Sequence, residues 1–163
     1  MRITVMSDSH GLFGATQKVM EAQPDSDIYI HLGDGKAECR LLRQEYPDKN
    51  LVFVRGNCDF DCDFDSDFPD FTVIPVNDKH RIFACHGHKY TVKYTHSDLL
   101  AAARANHCNI VVYGHTHERY NSYEQDIHIL NPGSCAFPRD GQPPSYAIID
   151  IVGDGVLKNI ISL

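Results

Sequence analysis

Short apolar runs alternate along the chain with longer segments of helical character. Ile3 to Met6, Ile28 to Leu32, Leu51 to Val54, Phe71 to Val76, Ile82 to Cys85 and Ile110 to Tyr113 are rich in β-branched and aromatic residues and predict strands. Ile127 to Leu130, Tyr146 to Ile151 and Val156 to Ile161 continue the pattern, with Gly153-Asp154-Gly155 joining the last two as a hairpin. Helices are predicted over Ala15 to Ala22, Ala37 to Tyr46 and Ser97 to Asn106, the third alanine-rich and starting from a cap at His96-Ser97-Asp98. In the early strands apolar residues occupy successive positions instead of alternating, as in strands covered on both faces. The pattern predicts an α/β layered fold that turns more β-rich toward its C-terminus. No repeat, linker or composition break divides it, so residues 1–163 read as a single domain.

Composition narrows the function. A chain of 163 residues can bury one substantial core, and 42% hydrophobic with 23% charged residues is globular. The net charge of −7 argues against a surface that grips nucleic acid or an anionic membrane. An anionic substrate stays open, because bound cations reverse the local sign. No apolar run reaches the ~18 residues of a membrane span, and Met1 to Asp8 turns acidic too soon for a secretory leader. The six cysteines lack a paired framework, which fits reduced thiols and a cytoplasmic setting. Asp59, Asp61, Asp63, Asp65, Asp67 and Asp70 interleave with Phe60, Phe64 and Phe68. Lacking the glycine and terminal glutamate of an EF-hand, this stretch is expected to be a solvated acidic loop.

The chemistry collects after the strands. Asp8 and His10 follow the first, Asp34 the second, Asn57 the third, His86 and His88 the Ile82 strand, and His115 and His117 the Ile110 strand. Ligands of α/β sheets bind outside the carboxyl ends of strands, so these side chains are expected to converge. The i, i+2 spacing of Asp8-x-His10 and His115-x-His117 puts each pair on one face of extended backbone. Gly33, Gly56, Gly87 and Gly114 are expected to let the chain turn so that the next ligand points inward. Oxygen and imidazole donors suit manganese, iron, nickel, cobalt or zinc better than Cu(I) or calcium. Other motifs fail: Gly33-Asp34-Gly35-Lys36 lacks P-loop spacing, Ser134 lacks the flanks of a nucleophile elbow, and Cys58-x-x-x-Cys62 has no second pair for structural zinc.

Asp8-x-His10, Gly33-Asp34, Gly56-Asn57-x-Asp59, His86-Gly87-His88 and Gly114-His115-x-His117 occur in the order found in calcineurin-like metallophosphoesterases. With Asn131-Pro132-Gly133-Ser134, the chain resembles the small bacterial and archaeal phosphodiesterase branch of that superfamily. The resemblance implies an α/β (α+β) metallophosphoesterase fold, a two-layered mixed β-sandwich flanked by helices. It implies that Asp8, His10 and His117 bind one divalent ion, that Asn57, His86 and His115 bind a second, and that Asp34 bridges them. Manganese comes first among the metals. The implied activity is hydrolysis of a small phosphate ester, a diester before a monoester, by attack of metal-bound hydroxide. Two close metals clamp both oxygens of an in-line displacement, so no protein nucleophile is needed.

Larger relatives carry histidine after the ligand Asn, where it assists the leaving group with a neighbouring acid. Cys58 and Asp59 stand there here. A thiol of pKa ~8.5 can donate a proton, and a small packed residue is an equal reading of Cys58. His88 touches substrate or orients a neighbour. Asn57, Cys58, Asp59 and His88 are thus the candidate catalytic residues. Asn131-Pro132-Gly133-Ser134 is expected to close one wall of the site. Arg139 is a candidate for phosphate oxygens, whereas Arg55 is expected to pair with a local carboxylate. A non-catalytic protein-binding scaffold of the same fold is the competing reading, opposed by the complete ligand set. A nuclease shares the chemistry, but the acidic balance without a basic stripe opposes it. The expected partner is a small-molecule phosphoester, with no membrane or nucleic acid. The resemblance brings homodimers with it, although no face marks an interface.

Overall fold

Strand β1 (Arg2–Met6) shows why the early strands lack alternation: Ile3 and Val5 enter a core between two sheets, while Met6 is buried on the opposite face beneath helices. The computed structural model describes residues 1–59 and 68–163. Helix α1 (Phe13–Ala22), β2 (Ile28–His31), α2 (Lys36–Glu45) and β3 (Leu51–Phe53) follow β1 in order. Next come β4 (Phe71–Pro75), β5 (Arg81–Cys85), α3 (Ser97–Ala105), β6 (Ile110–Val112), β7 (Arg119–Glu124) and β8 (Ile127–Pro132). Strands β9 (Ser145–Val152) and β10 (Gly155–Ser162) end the chain as the expected hairpin.

Two five-stranded mixed sheets result, ordered β10-β9-β1-β2-β3 and β4-β5-β6-β8-β7. Their inner faces share one core, with Ile3, Val5, Ile30 and Ile149 from the first sheet meeting Ile82, Ala84, Ile110, Val112 and Leu130 from the second. Helix α1 and Leu42 of α2 cover the outer face of the first sheet over Tyr29, Tyr146 and Ile148. Leu99, Leu100 and Ala103 of α3 cover the second over Phe83, Val111 and Ile129. The layered sandwich flanked by helices is therefore as expected. Among the described residues, no helix is long and apolar enough to cross a membrane.

Three local readings change. Strand β7, Arg-Tyr-Asn-Ser-Tyr-Glu, was not expected, because its polar edge position carries no apolar run. It joins β8 through Gln125-Asp126, both at positive φ (+50° and +65°), a primed turn built without the usual glycine. Helix α3 is capped by His96 with no side-chain capping bond, so the expected cap chemistry is absent. Of the acidic stretch, residues 60–67 lie outside the described residues. Its two ends are not free in solvent: Asp70 pairs with Arg55 (2.6 Å) and Lys89 (2.5 Å), and Asp59 is engaged as described below. The local partner expected for Arg55 is thus Asp70.

Candidate metal centre

In the first sheet β1, β2 and β3 run parallel, and in the second β5 and β6 do. Each of these five strands delivers one of the predicted side-chain sets from its C-terminal end. Asp8, His10, Asp34, His115 and His117 all adopt positive φ, from +43° at His10 to +71° at His115. L-residues avoid this region at a cost of roughly 1–2 kcal/mol each, and such strain gathers where function demands a particular aim. Backbone bonds hold the turns in place: Asp8 N–H donates to Gly33 O (3.1 Å), His10 N–H to Asp34 O (2.9 Å) and Gly114 N–H to His86 O (3.0 Å). The glycine expectation splits. Gly33 needs its positive φ (+97°), but Gly56 does not; a Cβ there would stand 2.1 Å from Asp34 Oδ1, so close approach is what requires it.

His86 Nδ1–H donates to Leu32 O (2.7 Å), which turns Nε2 inward, 3.4 Å from Asp34 Oδ2 and 3.1 Å from Asn57 Oδ1. His117 Nδ1–H donates to Phe137 O (2.6 Å), and its Nε2 stands 3.3 Å from Asp8 Oδ1 and 3.1 Å from His10 Nε2. Asp34 Oδ1 accepts from Cys58 N–H (2.7 Å), which frees Oδ2 to face His10 Nε2 at 3.6 Å. Asp8 Oδ1 is buried with no hydrogen-bond partner. Carbonyls that fix the outer ring nitrogen while the inner one faces carboxylates are how metal-ligating histidines are oriented. An orphaned buried carboxylate oxygen among inward-facing imidazole nitrogens fits a divalent cation.

Ligand atoms of Asp8, His10 and His117 lie within 4.8 Å of one another, as do those of Asp8, Asp34 and His86. His115 is less tightly gathered: its ring lies 5.2 Å from that of His86, centroid to centroid, and its backbone N–H donates to Asp8 Oδ2 (3.1 Å). Burial pushes the carboxyls of Asp8 and Asp34 upward, but neighbouring His117 and His86 outweigh it and hold both below the usual range. The same burial disfavours imidazolium at His86 and His117, yet Asp34 and Asp8 raise the first, and Asp8 with the Phe137 carbonyl raises the second. The carboxylates thus favour positive charge at these ring nitrogens, which a divalent ion would supply in place of the proton. Burial, then the charges of His86 and Lys93, lowers His115 to about 4, so its nitrogen stays a free ligand at neutral pH.

The second-tier residues separate on geometry. Asp59 Oδ2 accepts N–H bonds from Asp34 (2.8 Å) and Gly56 (2.7 Å), and Oδ1 from Gly35 and Lys36 (both 2.9 Å). Cys58 is exposed, which removes the packed-residue reading; its Sγ lies within 4.8 Å of ligand atoms of His10 and Asp34. Burial and then Asp34 push that thiol up to about 11. The ring of His88 lies 5.4 Å from that of His86, and its Nδ1 is buried without a partner. His31 had no role in the sequence reading. Its Nδ1 accepts from Gly33 N–H (3.2 Å) while Nε2 meets Ser9 Oγ (3.0 Å), tying together the two turns that carry Asp8 and Asp34. Its signal was its place two residues before Gly33.

Asn131 and Ser134 are buried behind the turns that carry Asp8 and His115. Asn131 Nδ2 donates to Gly114 O and Thr116 Oγ1 (both 3.0 Å), and buried Ser134 Oγ donates to Asp8 O (2.7 Å) while accepting from Phe137 N–H (2.7 Å). Ser134→Ala leaves these groups unpaired, so a loss of about 1–3 kcal/mol is expected. Urea unfolding measures it, and an unchanged midpoint would show that the bonds contribute nothing net.

Residues 1–154 match the family model described as the calcineurin-like phosphoesterase superfamily domain. The chain belongs to the calcineurin-like phosphoesterase superfamily. It is accordingly a hydrolase acting on phosphoester bonds. This phosphoesterase is 29% identical to the probable metallophosphoesterase YsnB of Bacillus subtilis, over 94% of this chain and 86% of that protein. It is 31% identical to the phosphodiesterase YfcE of Escherichia coli, over 92% and 88% respectively. A solved Streptococcus pneumoniae protein, described as a predicted phosphoesterase, superposes with a TM-score of 0.82 at 28% identity, over 99% of this chain and 88% of that one.

Proposed function

We propose that this phosphoesterase is a two-metal phosphodiesterase acting on a small phosphate ester. The observation that carries the reading is the convergence of the inner ring nitrogens of His86 and His117 on Asp34 Oδ2 and Asp8 Oδ1, the latter buried without a hydrogen-bond partner. Asp8, His10 and His117 would hold one divalent ion and Asn57, His86 and His115 the other, with Asp34 facing both. Bound there, the pair supplies an acidified water as nucleophile and positive charge for the phosphate oxygens. The chain's own part is orientation: Leu32 and Phe137 carbonyls fix the His86 and His117 tautomers, and Asp59 ties the Asp34 turn to the Asn57 turn. The exposed Cys58 thiol, kept protonated by its surroundings, stands where a leaving oxygen could take a proton. The ring of His88 stands 5.4 Å from that of His86 and 6.2 Å from that of His115, beside the proposed second ion. Manganese is the first metal to test, and the curated relative named a phosphodiesterase supports the diester. The scaffold alternative gives no reason for strained ligands aimed at one point.

Hydrolysis of bis(p-nitrophenyl) phosphate is expected to vanish with EDTA and to return with Mn²⁺. His115→Ala is expected to lower the Mn²⁺-supported rate by roughly 100-fold or more. Equal rates for the two proteins would remove the second metal position, and no rate in any divalent ion would leave the scaffold.

A further inference from the structure

A cleft of about 490 Å³ opens at Thr116, the residue between His115 and His117. Lys93, Tyr94, His96, Tyr113, Tyr120 and Arg139 line it, with Glu118 as its carboxylate. Its walls are fixed: His96 Nε2 and Tyr113 Oη lie 2.9 Å apart, and Tyr120 Oη donates to Glu124 Oε1 (2.5 Å). Arg139 N–H donates to His117 O (3.0 Å), which anchors the Arg139 loop to the metal centre. The Lys93 and Arg139 side chains are exposed and have no hydrogen-bond or ion-pair partner among the described residues. The nearby Arg119 differs, since its guanidinium is committed to Ser145, Pro143 and Asp140. Tyr94 is 88% exposed beside Lys93. Concave sites lined by aromatic rings with a few placed charges are built for organic ligands.

A diester has one arm that leaves and one that stays. Water oxygen joins phosphorus, the phosphorus–oxygen bond to the leaving arm breaks, and that oxygen takes a proton; the retained arm needs a place of its own. We propose that this cleft holds the retained arm, and that the arm carries a planar ring and a second phosphate-type anion. The ring lies among the tyrosines and the anion between Lys93 and Arg139. The inference rests on the phosphodiesterase reading.

Three p-nitrophenyl diesters separate the features: methyl (neither), thymidine-5′ (ring) and thymidine-5′ bearing a 3′-phosphate (both). With Mn²⁺, kcat/KM is expected to rise by about tenfold or more from the first to the third, the scale of one charge-assisted contact. The Lys93→Ala/Arg139→Ala double variant is expected to lose about tenfold more on the third substrate than on the second. Calorimetric titration with thymidine 3′,5′-bisphosphate reads the cleft without turnover, and the same variant is expected to weaken Kd by about tenfold or more. Equal kcat/KM across the series, equal losses on all three substrates, or an unchanged Kd overturns the inference. Bisphosphate binding that the variant weakens, in a protein that hydrolyses none of the diesters, upholds the cleft and overturns the phosphodiesterase reading.

Discussion

Asp34→Asn is expected to lower Mn²⁺-supported kcat/KM on bis(p-nitrophenyl) phosphate by roughly 10³-fold or more. Asp34 is the carboxylate that faces both proposed ligand sets: the same Oδ2 stands 3.6 Å from His10 Nε2 and 3.4 Å from His86 Nε2. Its other oxygen is held by Cys58 N–H at 2.7 Å, a bond that asparagine can keep through its carbonyl. The variant therefore retains the turn while replacing the negative charge proposed to bridge the two ions with an amide. Two divalent ions in close approach need that charge between them, and their mutual repulsion grows without it. Metal analysis of the reconstituted protein is expected to fall from about two ions per chain to one or fewer. An Asp34→Asn protein that keeps both ions and its full rate would remove Asp34 from the bridge.

The layers and the meeting of the site were legible because they rest on strong local signals. Apolar runs ending in Asp-x-His, Gly-Asp, Gly-Asn, His-Gly-His and Gly-His-x-His mark both the strands and what hangs from their ends. Where a signal is tertiary, the reading stops. Strand β7 is polar because one edge of it faces water, and only its pairing with β8 makes it a strand. Gly56 looks like a turn glycine, yet it is required by the carboxylate that approaches it from another segment. Ser134 and Asn131 brace Asp8 and Gly114 from more than a hundred and about seventeen positions away, respectively, which no local pattern encodes. His31 is buried on the same grounds: its ring joins two turns whose closeness exists only after β1 and β2 pair.

Asp59 is where local reading and geometry part most clearly, and its replacement tests which is right. Read beside Cys58, it is an acid that helps protonate the leaving group. In the folded chain both oxygens are taken by four backbone N–H groups, from Asp34, Gly35, Lys36 and Gly56. Those amides belong to the turn that aims Asp34, to the start of α2 and to the turn that presents Asn57. Hydrogen bonds to a charged group contribute about 1.5–3 kcal/mol each, and four on one part-exposed carboxylate do not add fully. Asp59→Ala is therefore expected to lose about 2–4 kcal/mol in urea unfolding. Its Mn²⁺ affinity is expected to fall about 10–100-fold, the scale for residues that orient ligands. Asp59→Asn should reproduce most of both losses, because its NH₂ group faces two N–H donors. An acid role makes the opposite forecast: Asp59→Asn would then keep its unfolding midpoint and metal affinity, and would slow alkyl phosphodiesters far more than p-nitrophenyl ones. Stability, metal affinity and leaving-group dependence thus move in different combinations under the two roles, and the four short bonds to backbone amides favour the first.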